Sequence, residues 1–288
     1  MTTSNSCRPI GASLEEYGRG IAGGLLFSLP LLYTMEVWWA GFVAHPARLL
    51  VYMLCTFILL LAYNRYAGLR DDASFLEVVI DSIEELGLGI LLATFILWLL
   101  GRINFQMPAT EIMGQVIIEA MTVAIGISVG TAQLGMNSDD ENKGADRDKQ
   151  IEDKEPDFLQ QTVIALCGAV LIAANVGPTE EIVMLAVEAA PAKLLLLALF
   201  SLFISVLILN FSGFRGSQRW VRRGGFAIFR GAIMTYAVAL VSAAGICWFF
   251  GRFDGASLEI IIAQTIVLGF PASLGASAGR LLLQANSE

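Results

Sequence analysis

The sequence predicts an all-α fold, a polytopic transmembrane helix bundle of about eight spans, on three observations. Hydrophobic residues make up 56% of the chain against 15% charged, and the mean hydropathy is +0.68, more apolar than a soluble domain. Eight stretches stay apolar over about the 20 residues needed to cross roughly 30 Å of hydrocarbon. A series of non-leucine signatures occurs twice in the same order, so the bundle reads as two parallel-orientation four-helix repeats, some of whose helices are broken at Pro or Gly.

Residues 1–20 are polar, with Arg8, Glu15, Glu16 and Arg19, and read as a cytoplasmic tail with no cleavable signal peptide. The first membrane repeat, 21–135, holds apolar stretches at 21–43, 47–64, 78–100 and 112–135. Residues 136–157 read as an acidic, disordered cytoplasmic linker. From Asp139 to Asp157 it carries nine acidic and four basic residues and almost nothing apolar, so it cannot bury enough surface to fold alone. It lacks the Asp-x-Asp-x-Asp-Gly order of a calcium loop. The second repeat, 158–282, holds stretches at 160–189, 193–211, 227–250 and 258–279, the first of them too long for one straight span. Residues 283–288 form a short tail.

Five features carry the repeat. Thr34 and Glu36 precede Pro46-Ala47-Arg48-Leu49-Leu50 and Gly68-x-Arg70. About 145 positions on, Thr179 and Glu181 precede Pro191-Ala192-Lys193-Leu194-Leu195 and Gly213-x-Arg215. Trp98-Leu99-Leu100-Gly101-Arg102 likewise matches Trp248-Phe249-Phe250-Gly251-Arg252, and Ser128-Val129-Gly130 matches Ser273-Leu274-Gly275. Leu, Ala and Gly recur in any membrane helix, but Pro-Ala-basic loops and Trp-x-x-Gly-Arg ends in one order are poorly produced by chance. With the amino end cytoplasmic, that side receives fourteen of the 18 basic residues and the opposite side four, Arg48, Arg102, Lys193 and Arg252. The positive-inside bias therefore places both termini in the cytoplasm.

The acids inside these spans are the functional candidates, because an ionised side chain at the bilayer centre costs roughly 2.5 to 3.5 kcal/mol even on the most lenient scale. Glu36 follows Pro30 in SLPLLYTMEVWW, where the proline removes a backbone bond. Asn175-Val176-Gly177-Pro178-Thr179-Glu180-Glu181 breaks the second copy more strongly, with Thr179 as a cap and both acids in the new first turn. Such breaks are expected to gather freed carbonyls and carboxylates at one depth, an arrangement that binds ions in discontinuous helices. In the plainer reading Glu180 and Glu181 are surface residues of a short separate element. Glu119, in QVIIEAMTVAIG, pairs with Gln264 across the repeat, as a titratable cavity residue and its neutral counterpart or as polar glue between helices. The ion-binding or proton-relay set is thus Glu36, Glu119, Glu180, Glu181, Thr34, Thr179, Asn175 and Gln264. Asp81, Glu84 and Glu85 share a helical face and are set against Arg230 as an inter-repeat charge pairing. Glu77 and the Arg219, Arg222 and Arg223 cluster read as solvated helix ends.

No cofactor is expected. His45 has no histidine partner and the four cysteines lack metal-ligand spacing, so there is no zinc, copper or haem signature. What remains is a hard-oxygen set suited to a hard cation or a proton. An enzyme is not expected, since no nucleophile elbow, His-Glu-x-x-His or phosphate loop occurs. The expected function is cation or proton-coupled transport, as carrier or channel, through an intramembrane carboxylate site at the repeat interface. The alternative is a non-catalytic scaffold or regulatory protein docking through its acidic linker. Its partners are the lipid bilayer and a small cation or proton, with no nucleic acid.

At FSLPLLYTMEVWW and ANVGPTEEI the chain resembles a family of bacterial integral membrane proteins of unassigned function. The resemblance implies an inner-membrane, multi-pass protein over most of the chain and brings no activity or site residues with it.

Overall fold

The structure, a computed structural model, describes residues 10–68, 74–104, 106–139, 158–211 and 225–284. Those residues form helices only: α1 Ile10–Leu32, α2 Met35–Val43, α3 Pro46–Ala67, α4 Phe75–Leu99, α5 Ala109–Asp139, α6 Phe158–Val176, α7 Glu180–Glu188, α8 Pro191–Phe211, α9 Gly225–Phe249 and α10 Leu258–Gln284. Seven are long and apolar enough to cross a membrane, or eight spans if the α1–α2 pair counts as one. The acidic linker from 140 to 157, Arg70 and the arginines from 215 to 223 lie outside the described residues.

Local chemistry sets the helix ends. Ser74 and Glu77 form a reciprocal capping box at the start of α4, Ser74 N donating to the Glu77 carboxylate at 2.8 Å. Glu77 is thereby a helix-end residue. His45 caps α3, its Nδ1 accepting from Ala47 N ahead of Pro46 at the first helical position. The Trp-x-x-Gly-Arg segments end α4 and α9 alike. Gly101 and Gly251 have φ of 70° and 71°, a left-handed conformation that glycine adopts without a Cβ penalty. Arg102 N and Arg252 N each return 2.8 Å to the carbonyl five residues back, on Leu97 and Cys247.

The stretch 21–43 is not one straight span. It opens at Tyr33 and Thr34, and α2 leaves α1 at 84°. Pro30 has no N–H to hold the ladder, and the chain turns instead through Tyr33 N and Thr34 N bonded to Pro30 O and Leu31 O. The stretch 160–189 breaks as expected, α6 ending at Val176 and α7 beginning at Glu180.

In the first half α1, α2, α3 and α4 pack on α5; in the second α6, α7, α8 and α9 pack on α10. The halves meet chiefly where α6 lies against α3, α1 and α5. One apolar core runs through both, from Leu31, Val37 and Ile118 to Ala173, Cys247 and Leu268. The central α5 has 83% of its apolar window buried, and α8 only 17%. Leu195, Leu196, Leu199, Phe200 and Phe203 of α8 are exposed, as side chains facing hydrocarbon would be.

Helices approach most closely over glycine. Gly23 of α1 lies on Gly130 of α5, and Gly168 of α6 on Gly275 of α10, so close that a Cβ at Gly23 or Gly275 would stand 2.4 or 2.3 Å from the facing backbone.

Candidate functional site

Glu119 occupies the most enclosed helix of the bundle. Gly24 of α1 sits over Val123 and Ile127 of the antiparallel α5. Seven residues further, about 10 Å along the axis, α1 reaches the level of Glu119 and stops. There α2 turns across α5, with Gly41 on the backbone of Gly114 and Gln115. The break thus lays a short helix over the turn of α5 that carries Gln115, one turn before Glu119.

Glu119 is 1% exposed and Gln115 2%, and neither carboxylate oxygen of Glu119 nor Oε1 of Gln115 has a hydrogen-bond partner. On the same face, three residues after Glu119, the Thr122 hydroxyl meets Tyr52 Oη of α3 at 3.2 Å. The Tyr52 ring stacks on Phe249 of α9, centroids 4.1 Å apart and planes at 22°. The carboxyl therefore lies one residue layer from the contact between the two halves. An ionised carboxylate there without a counter-charge would cost several kcal/mol. The buried polar groups converging here are, besides the one carboxyl, all uncharged.

Asn175, near the end of α6, joins the halves at the kinked end of α1. Its amide donates to Phe27 O at 3.0 Å and to Leu171 O at 2.6 Å, and its Oδ1 accepts from Leu31 N at 2.9 Å. Asn175 thus serves as a joint between the halves, with its donor and its acceptor both engaged.

Some of the carbonyls at the breaks are not free. Pro30 O accepts the Thr34 hydroxyl at 2.6 Å and Leu32 O accepts Trp38 Nε1 at 3.2 Å. Val176 O accepts the Thr179 hydroxyl at 2.9 Å, and Pro178 O accepts from the Arg252 guanidinium. Thr179 stands at the N-cap position of α7, and its side chain makes no cap hydrogen bond. Arg102 lies over the Trp38 ring at 4.3 Å, so in each half the arginine after the Gly turn packs on that half's own helix break.

Nor do the four glutamates converge. Glu36 is half-buried in the first turn of α2, Glu180 and Glu181 are exposed in the first turn of α7, and Glu119 is enclosed in α5. Among the described residues no three acidic, histidine or cysteine side chains stand close enough to hold one metal ion. Gln264 is 1% exposed on α10, its Oε1 also unpartnered, in the place of the second half that Glu119 has in the first. Glu85 accepts from Asn64 at 2.7 Å and Glu84 from Tyr17 at 3.2 Å, both within the first half. Asp81 is half-buried on α4, which packs on α5 and α3; Arg230 is exposed on α9, which packs on α10, α6 and α8.

Sequence reasoning passed over several polar residues. Gln115 and Thr122 belong to an i, i+4, i+7 stripe with Glu119 that is legible in QVIIEAMT. Tyr52 gave no signal, since its role depends on Phe249 nearly 200 residues away. Arg280 of α10, counted among the cytoplasmic charges, is 1% exposed and donates to Gly231 O, the Thr235 hydroxyl and Gln161 Oε1. At the opposite end, Arg48 pairs with Asp254 at 2.7 Å across the halves and lies 5.7 Å from the Trp248 ring centroid. The Arg48 guanidinium holds the Asp254 carboxyl below the usual carboxylate range.

Apolar helices of spanning length, lipid-facing leucines and phenylalanines, and a carboxyl enclosed between helices together define a polytopic integral membrane protein. The chain belongs to the family described as "Putative integral membrane protein (DUF2391)", whose model matches residues 16–283. No curated protein and no solved structure matches it.

Proposed function

We propose that this protein is a transporter that moves a cation across a bacterial inner membrane, alone or in exchange for protons, with Glu119 as its charge-carrying group. The observation that carries the reading is a fully enclosed, unpartnered carboxyl one layer from the stacked contact between two helical halves. Intramembrane acids that cost free energy and mark no structural pair are typical of ion and proton pathways. The two halves pack their helices in the same order, which supports a duplicated four-helix unit whose copies shift against each other around the site. Both termini are cytoplasmic in this reading, from the distribution of basic residues. The chemistry is binding and release, with no enzymatic step and no resident cofactor.

Purified protein in proteoliposomes should carry cation or proton flux under an imposed gradient. Glu119→Gln keeps the side chain's shape and removes its charge, so it should abolish flux while leaving yield and helix content unchanged. Flux equal to the parent's in a folded Glu119→Gln protein would sink the proposal. Glu36→Gln and Glu181→Gln should retain flux, because neither side chain reaches the enclosed site.

A further inference from the structure

Three oxygens at this site are acceptors only and lack donors: Oε1 of Gln115 and both carboxylate oxygens of Glu119. The two side chains stand one turn apart on one face of α5, with Cβ atoms about 6 Å apart, and Thr122 presents its hydroxyl on the next turn. A proton on Glu119 supplies a single donor: given to Gln115 Oε1, it still leaves the other carboxyl oxygen without a partner. A cation coordinated by oxygen satisfies all three at once. The charge count then limits which cation. One carboxylate balances a single positive charge, whereas a divalent ion leaves one full charge uncompensated in a low-dielectric bundle. No second acid compensates, since Glu36, Glu180 and Glu181 lie outside the enclosure and no three histidine, cysteine or acidic side chains come together among the described residues.

We propose that Gln115 and Glu119, with the Thr122 hydroxyl, bind one alkali cation of sodium size and discriminate against calcium and magnesium. This rests on the transport reading and names its substrate class. Thr122 Oγ1 can accept Tyr52 Oη–H and still face the ion with its second lone pair. Gln115 is a positioning and selectivity ligand: its neutral carbonyl adds a hard oxygen without adding charge.

The test is equilibrium binding of radioactive sodium ion to the full-length protein in detergent, separate from any flux measurement. One sodium ion per chain is expected, displaced by unlabelled sodium or lithium and not by calcium or magnesium at the same concentration. Glu119→Gln should lower the affinity at least 100-fold and Gln115→Leu about 10-fold. Gln115→Leu removes no charge, so its fold does not depend on the acid. Sodium binding that survives Glu119→Gln, or calcium displacing sodium at lower concentration, overturns the inference. So does an absence of sodium binding in a protein whose proteoliposomes still carry proton flux, an outcome that leaves the transport reading standing.

Discussion

Replacing Gly275 by Ala tests whether the second half is held by direct backbone contact between α6 and α10. A Cβ built on Gly275 would lie 2.3 Å from Gly168 O, 2.6 Å from Ile172 Cγ1 and 2.9 Å from Ile172 Cβ. Ordinary contact begins near 3.4 Å, so the helices must separate by 3.4 − 2.3 = 1.1 Å. A carbonyl oxygen within a helix cannot swing aside as a side-chain tip does. Overpacking of this kind costs about 1 to 3 kcal/mol, and three simultaneous clashes place it at the upper end. The better helix propensity of alanine returns up to about 1 kcal/mol, leaving a net loss of about 2 kcal/mol. Gly245 of α9 provides the opposite case, since nothing lies within 4 Å of its Cβ position. There the same substitution should stabilise by about 0.5 to 1 kcal/mol from propensity alone. The two variants should therefore differ by nearly 3 kcal/mol, roughly a hundredfold in the unfolding equilibrium. Reversible unfolding in mixed detergent, followed by circular dichroism, reads this directly. Gly275→Ala as stable as the parent would refute the close crossing.

Two further perturbations probe the joint between the halves. Asn175→Ala removes three hydrogen bonds, and at the roughly 0.6 kcal/mol typical of polar contacts within membrane bundles the loss should be about 2 kcal/mol in the same unfolding assay; a loss within about 0.5 kcal/mol would argue against the joint. The Arg48–Asp254 pair should make stability depend on pH. Asp254 is held below its ordinary range by Arg48, so its contribution is present at neutral pH and disappears as pH falls through and below the usual carboxylate range. Asp254→Asn should lower stability near neutrality and flatten the acid limb by the same small amount, as expected of a pair in which Asp254 is largely exposed; an unaltered acid limb would show that the pair carries none of it.

The helical class, the spans and the second helix break were legible because hydrophobic length and Gly-Pro are local signals. The 84° turn after Leu32 was less so: Pro30 marks a weak point, but the turn is fixed by α2 lying on Gly114 and Gln115, contacts made 70 and more positions away. Glu119 is an acid in an apolar stretch and is enclosed, whereas Glu36, Glu180 and Glu181 looked equally costly in sequence and lie half-buried or exposed. Sequence hydropathy measures how apolar the neighbours in the chain are, and a helix that bends away from the span takes its acids with it. The partners of the acids on α4 are out of reach of local sequence for a related reason. Glu84 and Glu85 find Tyr17 and Asn64 within their own half, and nothing local announces such partners.

The two halves differ most where the candidate site lies. At the offset of 145 that pairs Glu119 with Gln264, Gln115 falls on Ile260, Thr122 on Val267 and Tyr52 on Leu197. The second half therefore retains one neutral amide where the first has a carboxyl with three polar neighbours. A second buried carboxyl in the equivalent place would double the desolvation penalty. On the Arg48 side two layers of contacts are built from the same pair of helices. Arg48 pairs with Asp254 beside Trp248, and one turn deeper on α3 Tyr52 stacks on Phe249. Both layers take one residue from α3 and the other from α9 or the turn that follows it, so neither can open without movement between the halves.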